Sequence, residues 1–348
     1  MSIVLLQLAE VKYFQAERPK RCPYCPGEIF QRWGCHPKRV RDPRLRELQI
    51  YRYRCCLCHK TFRHYPQGVN RAEQTLRMKK LAAILWALGM SYRNAAGLLG
   101  VFGVRLGHMS IWRDVQAQAE QVNRSKQWGK VHVLGVDGLY VRGWGSTQAV
   151  LVAVDLGTGE PVALGYLDEK DPAAVQGFLE PLVQRLGVSV IVTDDLFSYK
   201  VVAGKLALEQ QVCQFHLRRW VGKALRDLRT SLPTEWHKTI DEIKQLVQEL
   251  PAEGDKRLMQ IYRQLPVNRS GRRNEPMTAL EQLRLLVGRL SEDWSRYRVF
   301  DWQPEVPWTN NATEQAIGRM KMRARTIRGY KSEQGMLNGL LWSGVRQV

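Results

Sequence analysis

Short alternating runs open the chain: Glu28-Ile-Phe-Gln-Arg-Trp33, Leu48-Gln-Ile-Tyr-Arg-Tyr-Arg54 and Lys60-Thr-Phe-Arg63 switch between apolar and polar side chains often enough to predict three strands. From Arg71 to about Leu88 the period becomes helical, with Met78, Leu81, Leu85 and Leu88 recurring on one face. Gly89-Met-Ser91 restarts the pattern, Ser91 reading as N-cap of a second helix over Tyr92–Leu99. Gly100-Val-Phe-Gly103 breaks it, and Ser110-Ile-Trp-Arg-Asp opens a third. Near residue 130 the texture turns to β. Val131–Gly138 predicts a buried strand containing Asp137, Gln148–Asp155 and Pro161–Leu167 a hairpin, Asp171–Leu186 a helix, and Val188–Asp195 a second buried strand ending in acid. Tyr199–Leu208 predicts a helix and Gln211–His216 a short fifth strand, giving the order βββαβαβ. About 90 residues of helical pattern follow, broken at Pro233, Pro251, Pro266 and Asn268–Asn274, before a last polar helix after Trp308.

Composition adds a division of labour. With 348 residues, 44% hydrophobic and 25% charged, the chain predicts two or three globular domains. Its net charge of +20 is uneven: residues 1–130 carry 24 basic and 8 acidic side chains, 131–215 carry 5 and 10, and 216–348 carry 24 and 15. Basic flanks suit a polyanion, and an acidic centre suits a divalent cation. No apolar run approaches the roughly 18 residues of a membrane span, and Ile3–Ala9 lacks the basic start of a signal peptide. Four of seven cysteines form the pairs Cys22-x-x-Cys25 and Cys55-x-x-Cys58, which predict a reducing compartment and a structural Zn²⁺ site, a zinc ribbon. Cys35, Cys56 and His59 are read as bystanders. Lys38, Arg39, Arg41, Arg44 and Arg46 predict a phosphate-contacting arm between the pairs. The three helices that follow fit a helix-turn-helix with Ser110, Trp112 and Arg113 nearest a DNA groove, or equally a plain packing unit.

The order βββαβαβ is that of an RNase H-like fold, an α/β mixed sheet that brings acids on its first and fourth strands together. Taken alone, Asp137 and Asp194 are equally read as strand terminators, and Asn311-Ala-Thr-Glu314 as a capping box. The set Val136-Asp137-Gly138, Val192-Thr193-Asp194, Cys213-x-x-His216 and Thr309-Asn-Asn-x-x-Glu314, with Arg328-Gly-Tyr-Lys-Ser332 beyond it, resembles the DDE transposases of bacterial insertion sequences, particularly the Mutator-like groups. The likeness covers roughly residues 130–348. It implies a catalytic, metal-binding triad of Asp137, Asp194 and Glu314, holding two Mg²⁺ or Mn²⁺ ions about 3.5–4 Å apart for phosphodiester cleavage and strand transfer. It also implies that His216 lies near the active site and the DNA, with Cys213 in packing, and that a helical insertion splits the triad. It selects Asp194 over Asp195, which is left free to cap the next helix.

On the last helix Lys321 and Arg325 stand seven and eleven residues beyond Glu314, within about 20° of one line at 100° per residue. They predict contacts to phosphates, while Ile317, Met320, Ala324 and Ile327 form a separate apolar stripe. The domains expected are a zinc ribbon (1–68), a helix-turn-helix DNA-binding domain (69–128), the first part of the RNase H-like core (129–216), the helical insertion (217–307) and the core's second part (308–348). The expected protein is a cytoplasmic, nucleoid-associated transposase acting as a homodimer on double-stranded terminal inverted repeats and target DNA, with no membrane association. The rival readings are a non-catalytic DNA-binding regulator derived from such an enzyme and an RNase H-like nuclease.

Overall fold

The computed structural model describes residues 11, 18–125, 129–143, 147–267 and 276–345. The Ile3–Ala9 run and the Asn268–Asn274 break lie outside the described residues. The chain divides into two compact units, one comprising residues 1–127, 142–144 and 319–348, the other 128–141 and 145–318. Among the described residues no helix is long and apolar enough to cross a membrane.

In the first unit β1 (Phe30–Arg39), β2 (Glu47–Cys55) and β3 (Thr61–His64) form an antiparallel sheet in the order β1-β2-β3. Leu48 and Ile50 of β2 bury their side chains with Val40, Leu45 and Val69. β1 runs further than its alternation predicts, so Lys38 and Arg39 are strand residues. Lys38 Nζ donates to the Arg71 carbonyl (3.0 Å), and Arg41 meets Glu73 (2.8 Å) and the Arg105 carbonyl (2.9 Å). The predicted phosphate arm is thus partly spent on intramolecular bonds.

Helices α1 (Leu76–Ala87), α2 (Tyr92–Val101) and α3 (His108–Ser125) follow. Ser91 caps α2 as expected, its Oγ accepting from Asn94 N at 3.1 Å. α1 starts at Leu76, five residues later than the pattern suggests. There the Thr75 hydroxyl donates to buried Asp42 (2.7 Å), which also receives the Arg77 guanidinium. Although burial opposes it, Arg77 and Thr75 hold the Asp42 carboxyl below its ordinary range. α11 (Glu333–Gly344) completes the unit, Trp342 Nε1 donating to the Ala83 carbonyl at 2.9 Å. The last turns of α10 (Asn311–Thr326) also belong here. Arg323 of α10 is buried, 4.2 Å above the Trp86 ring, and donates to the Gly89 and Met90 carbonyls.

The second unit is built on β4 (Val133–Leu139), β5 (Ala149–Asp155), β6 (Glu160–Leu167), β7 (Val190–Thr193) and β8 (Glu209–Val212). Their spatial order is β6-β5-β4-β7-β8, with β4, β5 and β6 antiparallel and β4, β7 and β8 parallel. Leu134, Val136 and Ile191 pack beneath α4 (Pro172–Leu186) and α5 (Phe197–Lys205). On the opposite face Val133, Val190 and Val192 meet Val299 and Val306. Both faces of the central strands are covered, which is why they read as continuous apolar runs. The fifth strand is shorter than predicted. It ends at Val212, Cys213 takes the N-cap position, and Gln214–Ser231 form helix α6, so His216 sits on a helix. Beyond it α7 (His237–Glu249), α8 (Gly254–Gln264) and α9 (Ala279–Glu292) bury one apolar core with α6. Three of these helices end two residues before the predicted proline breaks, because proline donates no backbone hydrogen bond and disfavours helix in the residue before it.

Asp195 does not cap α5. The cap position belongs to Leu196, with no side-chain bond. The Asp195 side chain is 3% exposed and meets Arg289 (2.9 Å) and Arg296 (3.4 Å) instead, fastening α9 and the segment after it to the end of β7. Removing it takes the carboxylate from Arg289, while Arg296 keeps Asp293 (2.9 Å) and Gln210 (2.7 Å). Asp195→Ala should therefore lower unfolding free energy by about 1 kcal/mol, well below the loss of a fully buried pair, because Arg289 is half exposed and Arg296 keeps its other partners. Urea denaturation of the two proteins measures this, and an unchanged midpoint would remove the clamp.

Candidate active site

Parallel pairing fixes the central geometry. β4 and β7 pair Val133 with Val190 and Gly135 with Val192. The same offset, carried one same-face step further, sets Asp137 beside Asp194, since side chains alternate along a strand. The pairing that brings two apolar strands together therefore also brings two carboxylates together at their ends.

Asp137 is flanked by two glycines, and both are required. A Cβ on Gly135 would collide with Thr313 Oγ1 and Asn310 Oδ1 at the start of α10. With that space free, Asn310 Nδ2 donates to the Val136 carbonyl at 3.1 Å and Asn310 N donates to Cys213 Sγ at 3.3 Å. The Gln214 N–H meets the Trp308 carbonyl at 3.0 Å. α10 is thereby moored to β4 and to the start of α6, and Glu314 stands in its first turn. The Glu314 carboxylate does not close a capping box. Its Oε1 lies 3.2 Å from His216 Nε2. On the other side of Asp137, a Cβ on Gly138 would collide with the carboxylate of Glu169, in the turn between β6 and α4. Glu169 was not predicted as a site residue, and its Oε1 accepts from Tyr140 OH at 3.0 Å.

Electrostatics follow from this crowding. Burial first, then the charges of Asp137 and Glu169, push Asp194 up to about 7. Glu169 is raised as well, chiefly by burial. Asp194 Oδ1 is buried with no hydrogen-bond partner. The Tyr199 hydroxyl is in the same condition, and the negative fields of Asp194, Glu169 and Asp137 add to burial in raising its pKa. Hard oxygen donors, an orphaned buried carboxylate oxygen and unrelieved like charge are what a divalent cation of the Mg²⁺ class requires. The donor set fits such an ion.

Asp137, Asp194 and Glu314 are not drawn into one compact ligand cluster. Among the described residues, two groups of three or more candidate metal-binding side chains have their ligand atoms within 4.8 Å of one another: Cys213 with His216 and Glu314, and the four cysteines. His216 bonds to Glu314 and acts electrostatically on Asp194. A cavity of about 690 Å³ opens beside Asp194 and His216, lined by Arg219, Lys223 and Arg226 of α6 and by Arg289. Lys321 and Arg325 are exposed, on the turns of α10 assigned to the first unit. Of the residues predicted nearest a DNA groove, Ser110 and Trp112 are half-buried and Arg113 is exposed on α3.

In the first unit Cys22 and Cys58 bring their sulfurs to 3.7 Å, and Cys25 and Cys55 to 3.6 Å. Four sulfurs about 2.3 Å from a tetrahedral ion would be about 3.8 Å apart. Gly27 permits the arrangement, since a Cβ there would lie 2.8 Å from Cys55 Sγ. The backbone N–H of Cys58 holds the Cys55 thiol down at about 7, with burial opposing and the N–H of Leu57 adding to it. Cys35 and Cys56 stand exposed outside the cluster.

An acid pair beside a cation-lined cavity is suited to phosphodiester chemistry, and the comparisons point the same way. The model of the family described as Transposase IS66 family matches residues 158–338, just over half the chain. The protein belongs to the IS66 family of transposases. It is also 23% identical over 229 residues to an insertion element ISM1 uncharacterized 48.3 kDa protein of Methanobrevibacter smithii, a match covering 64% of this chain and 56% of that protein. The chain thus spans little more than half the length of that curated relative.

The raised Asp194 sets a pH dependence. A carboxyl whose folded pKa lies above its unfolded value binds its proton more tightly when folded. Its stabilising contribution is full below about pH 4 and is lost as pH rises through 7. In Mg²⁺- and Mn²⁺-free buffer the urea midpoint should fall between pH 5 and pH 8, and Asp194→Asn should flatten that fall. An equal slope in the variant would assign the effect elsewhere.

Proposed function

We propose that the protein is a metal-dependent DDE transposase with an RNase H-like core, and that Asp137, Asp194 and Glu314 hold its catalytic divalent cations. The observation that carries this is the β4/β7 register, which sets Asp137 against an Asp194 with an unpartnered oxygen. The strand order β6-β5-β4-β7-β8 supports the fold assignment, since an antiparallel meander followed by two parallel strands is the RNase H-like arrangement. The motifs shared with the Mutator-like groups are the ones that carry acids, so we read that likeness as one of catalytic machinery. Two such ions, when bound, would activate an attacking hydroxyl and stabilise the leaving oxygen of a phosphodiester.

The chain's own residues supply the rest. His216 holds the Glu314 carboxylate in place from the adjoining helix. Arg219, Lys223 and Arg226 follow His216 at intervals of three and four, so α6 turns one face toward the cavity. Guanidinium and ammonium groups there bind the phosphates of a DNA strand beside the acids. The four-cysteine cluster holds structural Zn²⁺ in a zinc ribbon, and α1–α3 act as a helix-turn-helix that binds transposon ends through Ser110, Trp112 and Arg113. Lys321 and Arg325 contact phosphates. Two ends must be cut together, which favours a homodimer.

Asp137→Asn, Asp194→Asn and Glu314→Gln should each abolish Mg²⁺-dependent cleavage and joining of terminal-repeat DNA while retaining end binding, because each loses a ligand and no phosphate contact. Full activity in any one would remove that residue from the triad, and cleavage without joining by the native protein would make it a nuclease. Cys58→Ser should release one zinc per chain and weaken end binding, since folding of such a module is coupled to its metal. Elemental analysis finding no zinc in the native protein would refute the ribbon.

A further inference from the structure

Glu169 is placed with more care than a charged turn requires. The stretch Asp168-Glu-Lys-Asp171 joins β6 to α4, and in such a turn solvent ordinarily takes the side chains. Asp168 is exposed in that way, and Glu169 is not. Ser198 of α5 donates to the Glu169 carbonyl at 2.5 Å, fixing its backbone. Tyr140, just beyond β4, donates to its carboxylate at 3.0 Å and fixes its side chain. The carboxylate fills the space a side chain at residue 138 would occupy, one residue from Asp137. α5 and the end of β4 thus hold a negative charge close to two others, which is unfavourable unless something positive sits among them. The Tyr199 hydroxyl points independently to a ligand here. It is on a residue 1% exposed, lacks a hydrogen-bond partner, and lies within the fields of Asp194, Glu169 and Asp137.

We infer that Glu169 is a fourth carboxylate of the catalytic metal site, facing the cation from the side of Asp137 and Asp194 while Glu314 approaches with His216. This rests on the metal-dependent reading above. It adds a ligand outside the Asp, Asp, Glu set and assigns roles to the residues around it: Gly138 leaves the space, Tyr140 and Ser198 hold Glu169, and Tyr199 donates a hydrogen bond toward the cluster.

Mn²⁺ binding to the full chain, followed by calorimetry and by loss of the free-ion electron paramagnetic resonance signal, tests this without a cleavage assay. Glu169→Gln keeps an oxygen to accept from Tyr140 and should weaken Mn²⁺ by about tenfold or more. Because it removes like charge, the same variant should melt higher than the native protein without metal and gain less on adding Mn²⁺. A merely structural Glu169 would give the opposite, a lower melting temperature without metal and an unchanged gain. Tyr140→Phe, which frees the carboxylate but keeps its charge, should weaken Mn²⁺ by a smaller factor and serves if the Gln variant does not fold. Asp168→Asn should bind as the native protein does. Native affinity in both Glu169→Gln and Tyr140→Phe, with loss in Asp194→Asn, would overturn the assignment of Glu169 and leave the metal reading standing. No Mn²⁺ binding by the native protein would overturn both.

Discussion

Like charges held side by side at the ends of two parallel strands are the constraint that organises the second unit. Asp137 and Asp194 would separate if the strands were free to shift, and the sheet prevents it. β4 is paired on both edges, and both of its faces are buried. A slip of one residue would turn Val133 and Val190 out of one apolar layer and Leu134 and Ile191 out of the other. The hydrophobic register therefore sets the electrostatic problem, and the surrounding elements are arranged around it.

The two glycines beside Asp137 show how that arrangement is admitted. Gly135 lets α10 approach the strand closely enough for Asn310 to bond to its backbone. Gly138 lets the turn after β6 reach in from another direction. In the sequence Gly135-Val-Asp137-Gly138 the functional side chain has none beside it on its own face at 135 and none on the residue that follows. An alanine at Gly135 would displace the element bearing Glu314 without touching a carboxylate, and one at Gly138 would drive out the Glu169 carboxylate itself.

The order of strands and helices as far as α10 was legible in the sequence because it rests on local periodicity; α11, beyond the helix read as the last, was not. The run from Val131 to Leu208 alternates between buried strands and amphipathic helices with clear breaks, and the cysteine pairs carry their own spacing. What depended on distant partners was not. Asp195 reads as a helix cap until Arg289, 94 residues away, claims it. Lys38 and Arg41 read as a free basic arm because the Arg71 and Arg105 carbonyls that accept from them give no sequence signal. Glu169 was invisible for the same reason. Its turn has the composition of a solvated loop, and its surroundings come from Gly138, Tyr140 and Ser198, of which only Gly138 stood in a recognised motif. The fifth strand was overextended because Val212-Cys-Gln-Phe-His216 keeps an apolar texture through the point where the backbone turns into α6.

Arg289 serves two masters. It forms one wall of the cavity beside Asp194, and it anchors Asp195, so an anion entering the cavity and the carboxylate at the end of β7 draw on one guanidinium. Whatever loosens that grip does so a single peptide unit from Asp194, and the helical insert carries the other end of the linkage. Loading of the cavity and stiffness of the acid-bearing strand end are in this way tied to one side chain, which holds Asp195 through Nη2 and leaves its other donors to the cavity.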